Sequence, residues 1–101
     1  MTLIYKICSR AMWAEAAAAG VFEGSEVDRR DGFIHFSTEA QVAETARRHF
    51  AGQQDLVLVA VEATELGAEL RWEPSRGGAL FPHLYGPLPL AAVRSVEPLR
   101  T

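Results

Sequence analysis

Two histidines stand inside apolar runs of this sequence: His35 within Phe33-Ile34-His35-Phe36 and His83 within Leu80-Phe81-Pro82-His83-Leu84-Tyr85. An imidazole removed from water must find hydrogen-bond partners, because unpaired polar nitrogens cost free energy. Period-two alternation places Phe33, His35 and Ser37 on one face of a strand. Ser37 and Thr38 then stand at the start of a helix, where free backbone N–H groups and the helix dipole attract anions. His35 with Ser37 is therefore a candidate contact for phosphate or ribose. His83 and Tyr85 share a face if their segment is extended, and both combine an apolar body with a polar tip suited to stacking on nicotinamide or adenine.

Lys6 breaks the run Ile4-Tyr5-Lys6-Ile7. In an inner strand its ammonium must reach a polar cleft or a carboxylate, whereas on an edge strand it is simply exposed. The loop Trp72-Glu73-Pro74-Ser75-Arg76-Gly77-Gly78 offers a carboxylate, Glu73, and a forked donor, Arg76, for carboxylate or phosphate. Each residue also has an ordinary structural role to weigh against these: a histidine bonded to backbone, a capping serine, a surface lysine, a hairpin loop. Other chemistries lack their motifs. The three histidines are too scattered for a zinc pattern, His49 fits the C-terminal end of a helix, and Cys8 has no CxxC partner. Neither a Walker loop, a GxGxxG turn nor a GxSxG elbow is present.

The elements that must position these residues follow from periodicity and punctuation. Leu3 to Cys8 reads as a strand, and Ser9 caps a helix that Gly20 ends. Val21 to Asp31 has no period and reads as a surface loop, leading through Asp31-Gly32 into a strand from Phe33 to Phe36. Thr38 and Gln41 form a capping-box pattern for a second helix, with Val42, Ala46, His49 and Phe50 as its buried stripe and Gly52 as its end. Leu56 to Val61 is apolar without alternation, so it is a central strand covered on both faces. A turn at Leu66-Gly67 precedes strands at Leu70 to Glu73, Leu80 to Leu84 and Ala92 to Pro98, with Gly86, Pro87 and Pro89 blocking any long element between the last two. Two helices among several strands predict an α+β fold.

Composition sets the frame. A chain of 101 residues that is 49% hydrophobic and 23% charged predicts one globular domain spanning 1–101. A formal charge of -3 argues against general binding to nucleic acid, which needs a basic face. The single Cys8, the lack of a membrane-length apolar run and an N-terminus without signal-peptide character together predict a cytoplasmic protein that does not associate with membranes.

With these residues in view, the chain resembles the bacterial family known as domain of unknown function 952. The resemblance is carried by Ile4-Tyr5-Lys6-Ile7 with Trp13, by Asp31-Gly32-Phe33-Ile34-His35-Phe36-Ser37-Thr38 with Gln41, by Trp72-Glu73, and by Phe81-Pro82-His83-Leu84-Tyr85-Gly86-Pro87-Leu88. It implies an ADP-ribosyltransferase-like fold, a split antiparallel sheet with NAD bound in a cleft. It also implies a first-strand role for Lys6, where NAD-using relatives carry histidine, a second role for His35 with Ser37, and a third for Glu73 or the His83 region. The expected function is binding of a nucleotide-like ligand, NAD or ADP-ribose, through Lys6, Ser37, Arg76, His83 and Tyr85. His35 and Glu73 are the catalytic candidates for cleavage or transfer at the N-glycosidic bond. The resemblance implies NAD as a substrate and assigns no other cofactor. The alternatives are a non-catalytic ligand sensor or interaction module of the same fold, or a protein with structural histidines that acts through a dimer surface.

Overall fold

The computed structural model describes residues 1–100, apart from the side chain of Arg76. Strand β1 (Leu3–Ser9) runs directly into helix α1 (Arg10–Ala19), because Ser9 Oγ accepts the Met12 N–H at 3.0 Å and caps the helix. Gly20 ends α1 in the left-handed region at φ 85°, as the sequence predicts. The stretch from Val21 to Asp31 corrects the sequence reading. Instead of a loop it holds a short strand, β2 (Val21–Phe22), and a six-residue helix, α2 (Glu26–Asp31), so the fold has three helices rather than two. Ser25 makes α2 possible: its Oγ accepts the Asp28 N–H, and Asp28 Oδ2 accepts the Ser25 N–H at 2.8 Å, a reciprocal capping box.

Strand β3 is shorter than expected, Ile34–His35 only. Helix α3 (Glu39–His49) opens with Gln41 Oε1 accepting the Thr38 N–H at 2.9 Å. It stops at His49 with Phe50 as its cap, before Gly52, and His49 is exposed rather than part of the buried stripe. Strand β4 (Leu56–Glu62) is followed by two single 3-10 turns, Ala63–Glu65 and Gly67–Glu69, which flank the predicted turn. Strands β5 (Leu70–Pro74), β6 (Leu80–Leu84), β7 (Leu88–Pro89) and β8 (Val93–Leu99) complete the chain.

All the pairings are antiparallel and fall into three groups, β1-β4-β8, β3-β6-β5 and β2-β7. This is an α+β arrangement in which β4 is central, as its unbroken apolar run predicts. Alternation along β4 sends Val57, Val59 and Val61 into the main core with Ile4, Phe36, Leu84 and Leu88, over which α1 lays Ala16, Met12 and Trp13. The other face of β4 sends Leu56 and Leu58 into a smaller cluster under α3, with Ile7, Val42, Ala46 and Phe50. A backbone bridge joins the first two groups of strands: Tyr5 and Ser37 exchange hydrogen bonds of 2.8 and 2.9 Å. That bridge covers the outer edge of β1 and brings Lys6 beside His35.

Candidate functional site

Lys6 points to the main-core side of β1, between Ile4 and Cys8, and is 6% exposed although β1 is the formal edge of its sheet. Of the two readings of this lysine, burial with a carboxylate partner is the one realised. Its Nζ lies 2.8 and 3.0 Å from the two carboxylate oxygens of Asp28 and donates to the His35 carbonyl at 3.1 Å. The three donors of an ammonium are thereby used within the protein.

Asp28 is the hub. It is 2% exposed, and its Oδ1 accepts from the His35 backbone N–H at 3.1 Å and from His35 Nδ1 at 2.6 Å. Burial works against ionisation here, but the His35 hydrogen bond and the Lys6 ammonium outweigh it and hold the carboxyl well below the usual carboxylate range. The other ring nitrogen of His35, Nε2, lies 3.0 Å from Asp31 Oδ2 at the end of α2. That second contact is an ion pair only when the imidazole is protonated. Gly24 has to be glycine: at φ 103° it approaches Asp28 so closely that a Cβ would stand 2.8 Å from the Asp28 Cβ.

A second carboxylate–histidine pair faces the first. His35 and His83 are directly opposed in the β3–β6 register, with ring centroids 5.7 Å apart. His83 Nδ1 lies 2.7 Å from Glu73 Oε1, and the Tyr85 hydroxyl donates to the same oxygen at 2.8 Å. These bonds from His83 and Tyr85 hold the Glu73 carboxyl below its ordinary range, and the bond to Glu73 raises the Tyr85 phenol. His83 Nε2 has no hydrogen-bond partner among the described residues. Phe33 roofs the group: its ring stacks on His83 at 4.1 Å and leans on His35 at 4.5 Å and on Tyr85 at 5.2 Å. Arg71, opposite His83 in the β5–β6 register, sets its guanidinium 4.8 Å over the Tyr85 ring.

The predicted site residues thus separate. Lys6, His35, Glu73, His83 and Tyr85 converge on one region around Phe33. Ser37 does not join them, since it is buried with its hydroxyl 2.9 Å from Thr45 Oγ1 on α3. The Arg76 side chain lies outside the described residues. Cys8 is buried beside Lys6, and burial pushes its thiol up to about 11, so it supplies no thiolate at neutral pH. Grooves and chemistry only partly coincide. The larger groove, about 780 Å³, runs under α3 along Leu3, Tyr5, Val42, Leu58 and Leu99 and contains no histidine. A smaller hollow of about 320 Å³ borders Asp28, Gly32 and Phe33. The oriented polar groups, not the volume, mark the candidate site.

Over residues 7–96 the chain matches the family described as Protein of unknown function (DUF952). It belongs to that family. Solved structures of protein CC0527 from Caulobacter crescentus are similar to this DUF952 chain along nearly its whole length. The crystal structure is 58% identical with a TM-score of 0.95, covering 98% of this chain and 87% of that one. The solution structure is 60% identical with a TM-score of 0.87, covering 98% and 85%. No curated protein matches the chain.

Sequence reasoning missed Asp28, Asp31 and Phe33 as parts of one site. A signal for Asp28 was present: Ser25 followed three residues later by an acid is a capping-box spacing. Nothing in periodicity marks Asp28 as buried, because no other residue of α2 is.

Proposed function

We propose that the face built by His35, His83, Glu73 and Tyr85 binds a nucleotide-like ligand, NAD or ADP-ribose, and that the chemistry open to it is cleavage or transfer at the N-glycosidic bond. One observation carries this reading: two imidazoles stand opposite each other, each oriented by its own carboxylate, and His83 keeps one ring nitrogen without a hydrogen-bond partner among the described residues. With Nδ1 donating to Glu73, His83 Nε2 is the acceptor for a ribose hydroxyl. In the reaction the C–N bond to nicotinamide breaks with its electron pair leaving on nicotinamide. The Glu73 carboxylate favours the oxocarbenium-like sugar. A water or acceptor hydroxyl then adds to that carbon and releases its proton to bulk water. The antiparallel halves joined at Tyr5–Ser37 support an ADP-ribosyltransferase-like relation as part of the same reading.

In this scheme Lys6 is a scaffold cation rather than a ligand contact, since its donors end on Asp28 and His35. The engagement of His35, with Nδ1 held by Asp28 and Nε2 facing Asp31 at 3.0 Å, favours the second reading, a ligand sensor without turnover.

Thermal melting tests the binding. A ligand that binds only the folded chain adds about 2.7 kcal/mol of stability at ~100 times its Kd. Millimolar NAD or ADP-ribose raises the melting temperature of the wild type and not of His83→Gln, whose cooperative melt without ligand checks that it folds. An unmoved wild type, or a variant that responds equally, overturns the reading. Incubation with NAD separates the two roles: nicotinamide release marks the enzyme, and tight binding without release marks the sensor.

A further inference from the structure

We propose that Arg71 is the anion-binding group of this face and selects a phosphate-bearing ligand over the corresponding nucleoside. The inference deepens the nucleotide reading and rests on it. Any such ligand brings negative charge toward a face that already carries Asp28, Asp31 and Glu73, so a positive group must meet it. Lys6 cannot, because Asp28 neutralises it at 2.8 Å and the pair is buried. Arg30 is engaged by Asp31 at 3.2 Å. Arg71 has no carboxylate within ion-pair distance among the described residues, although Glu73 lies only two positions along the same strand.

The reason is local. The Glu73 oxygen nearest the group is occupied by His83 and Tyr85, and the Arg71 guanidinium lies over the Tyr85 ring instead. A cation held by an aromatic face keeps its N–H fork unspent, and that fork matches the paired oxygens of a phosphate. Arg71 stands directly opposite His83, so the anion it binds sits beside the His83 ring. Tyr85 thereby links the two halves of the site: its hydroxyl fixes Glu73 and its ring fixes Arg71.

The test compares wild type, Arg71→Ala and Arg71→Lys by titration calorimetry with ADP-ribose, adenosine and inorganic pyrophosphate. Arg71 is exposed on an edge strand, so both variants keep the fold, which the melting curve checks. Loss of a charge-assisted fork weakens ADP-ribose and pyrophosphate by roughly tenfold or more in Arg71→Ala, with Arg71→Lys between, while adenosine changes by less than about twofold. Added salt weakens ADP-ribose for the wild type more than for Arg71→Ala. Equal ADP-ribose affinity in all three chains overturns the proposal and leaves the nucleotide reading standing. Arg71-dependent pyrophosphate binding with no gain from the nucleoside part upholds Arg71 and removes the nucleotide reading. A wild type that binds none of the three overturns both.

Discussion

At the scale of single residues, the Lys6–Asp28 pair decides most about this molecule. Removing one partner of a buried ion pair leaves the other charge uncompensated, so Lys6→Met destabilises the fold by about 3–5 kcal/mol, measured by urea unfolding. Adding Asp28→Asn to that variant costs less than the two single changes summed, because the charges are in contact. The Asp28 carboxyl ionises more readily in the folded chain than in the unfolded one. Its contribution is therefore complete above about pH 4 and is lost as pH falls from the ordinary carboxylate range toward the folded value. Acid unfolding curves of Asp28→Asn are flatter over that window; a slope equal to that of the wild type contradicts the assignment. The oddity of Lys6 was legible in the sequence, which left two readings: a buried lysine with a polar partner or an exposed one on an edge strand. Which acid it meets was not, because the answer depends on a contact 22 positions away.

At the scale of elements, α2 shows how little helix is needed to place a carboxylate. Six residues form no stable helix alone; the reciprocal Ser25–Asp28 bonds and the burial of Asp28 hold it. Ser25→Ala removes a cap and costs about 1 kcal/mol. Gly24→Ala combines a positive φ with a Cβ pressed on Asp28, and costs about 1–3 kcal/mol. Circular dichroism melts of both variants check the order of the two effects. The longer elements were readable because their signals are redundant: Ser9 and Gly20 bracket α1, Thr38 and Gln41 open α3, and β4 is one apolar run. β2 and α2 escaped reading because a two-residue strand and a polar single-stripe helix leave no period to detect. His49 was misread for a related reason: helical spacing put it on the stripe, but α3 ends there and its side chain turns to solvent.

At the scale of the whole molecule, the fold separates support from chemistry. β4 is paired on both sides and buried on both faces, so its amides, such as those of Val59 and Val61, exchange slowest of all, and those of β8, paired on one side only, exchange faster. Hydrogen-exchange mass spectrometry reads that order directly, and faster exchange in β4 than in β8 contradicts it. The residues of the candidate site stand on the smaller β3-β6-β5 group, which touches the main scaffold through the Tyr5–Ser37 bridge and through Ile34 and Leu84 in the core. Sequence reading placed both histidines on strands but could not align them, because His35 and His83, which the β3–β6 register sets opposite each other, stand 48 positions apart in the chain and are not joined by a local turn.

Phe33 has one more consequence. Its ring lies against His83, His35 and Tyr85 together, so the circulating electrons of the phenyl group shield whichever of their protons sit over its face. Those proton resonances are displaced from their usual positions in the unliganded protein. A molecule entering between the rings changes the displacement at once, so this protein carries its own unlabelled reporter of occupancy in an ordinary proton spectrum.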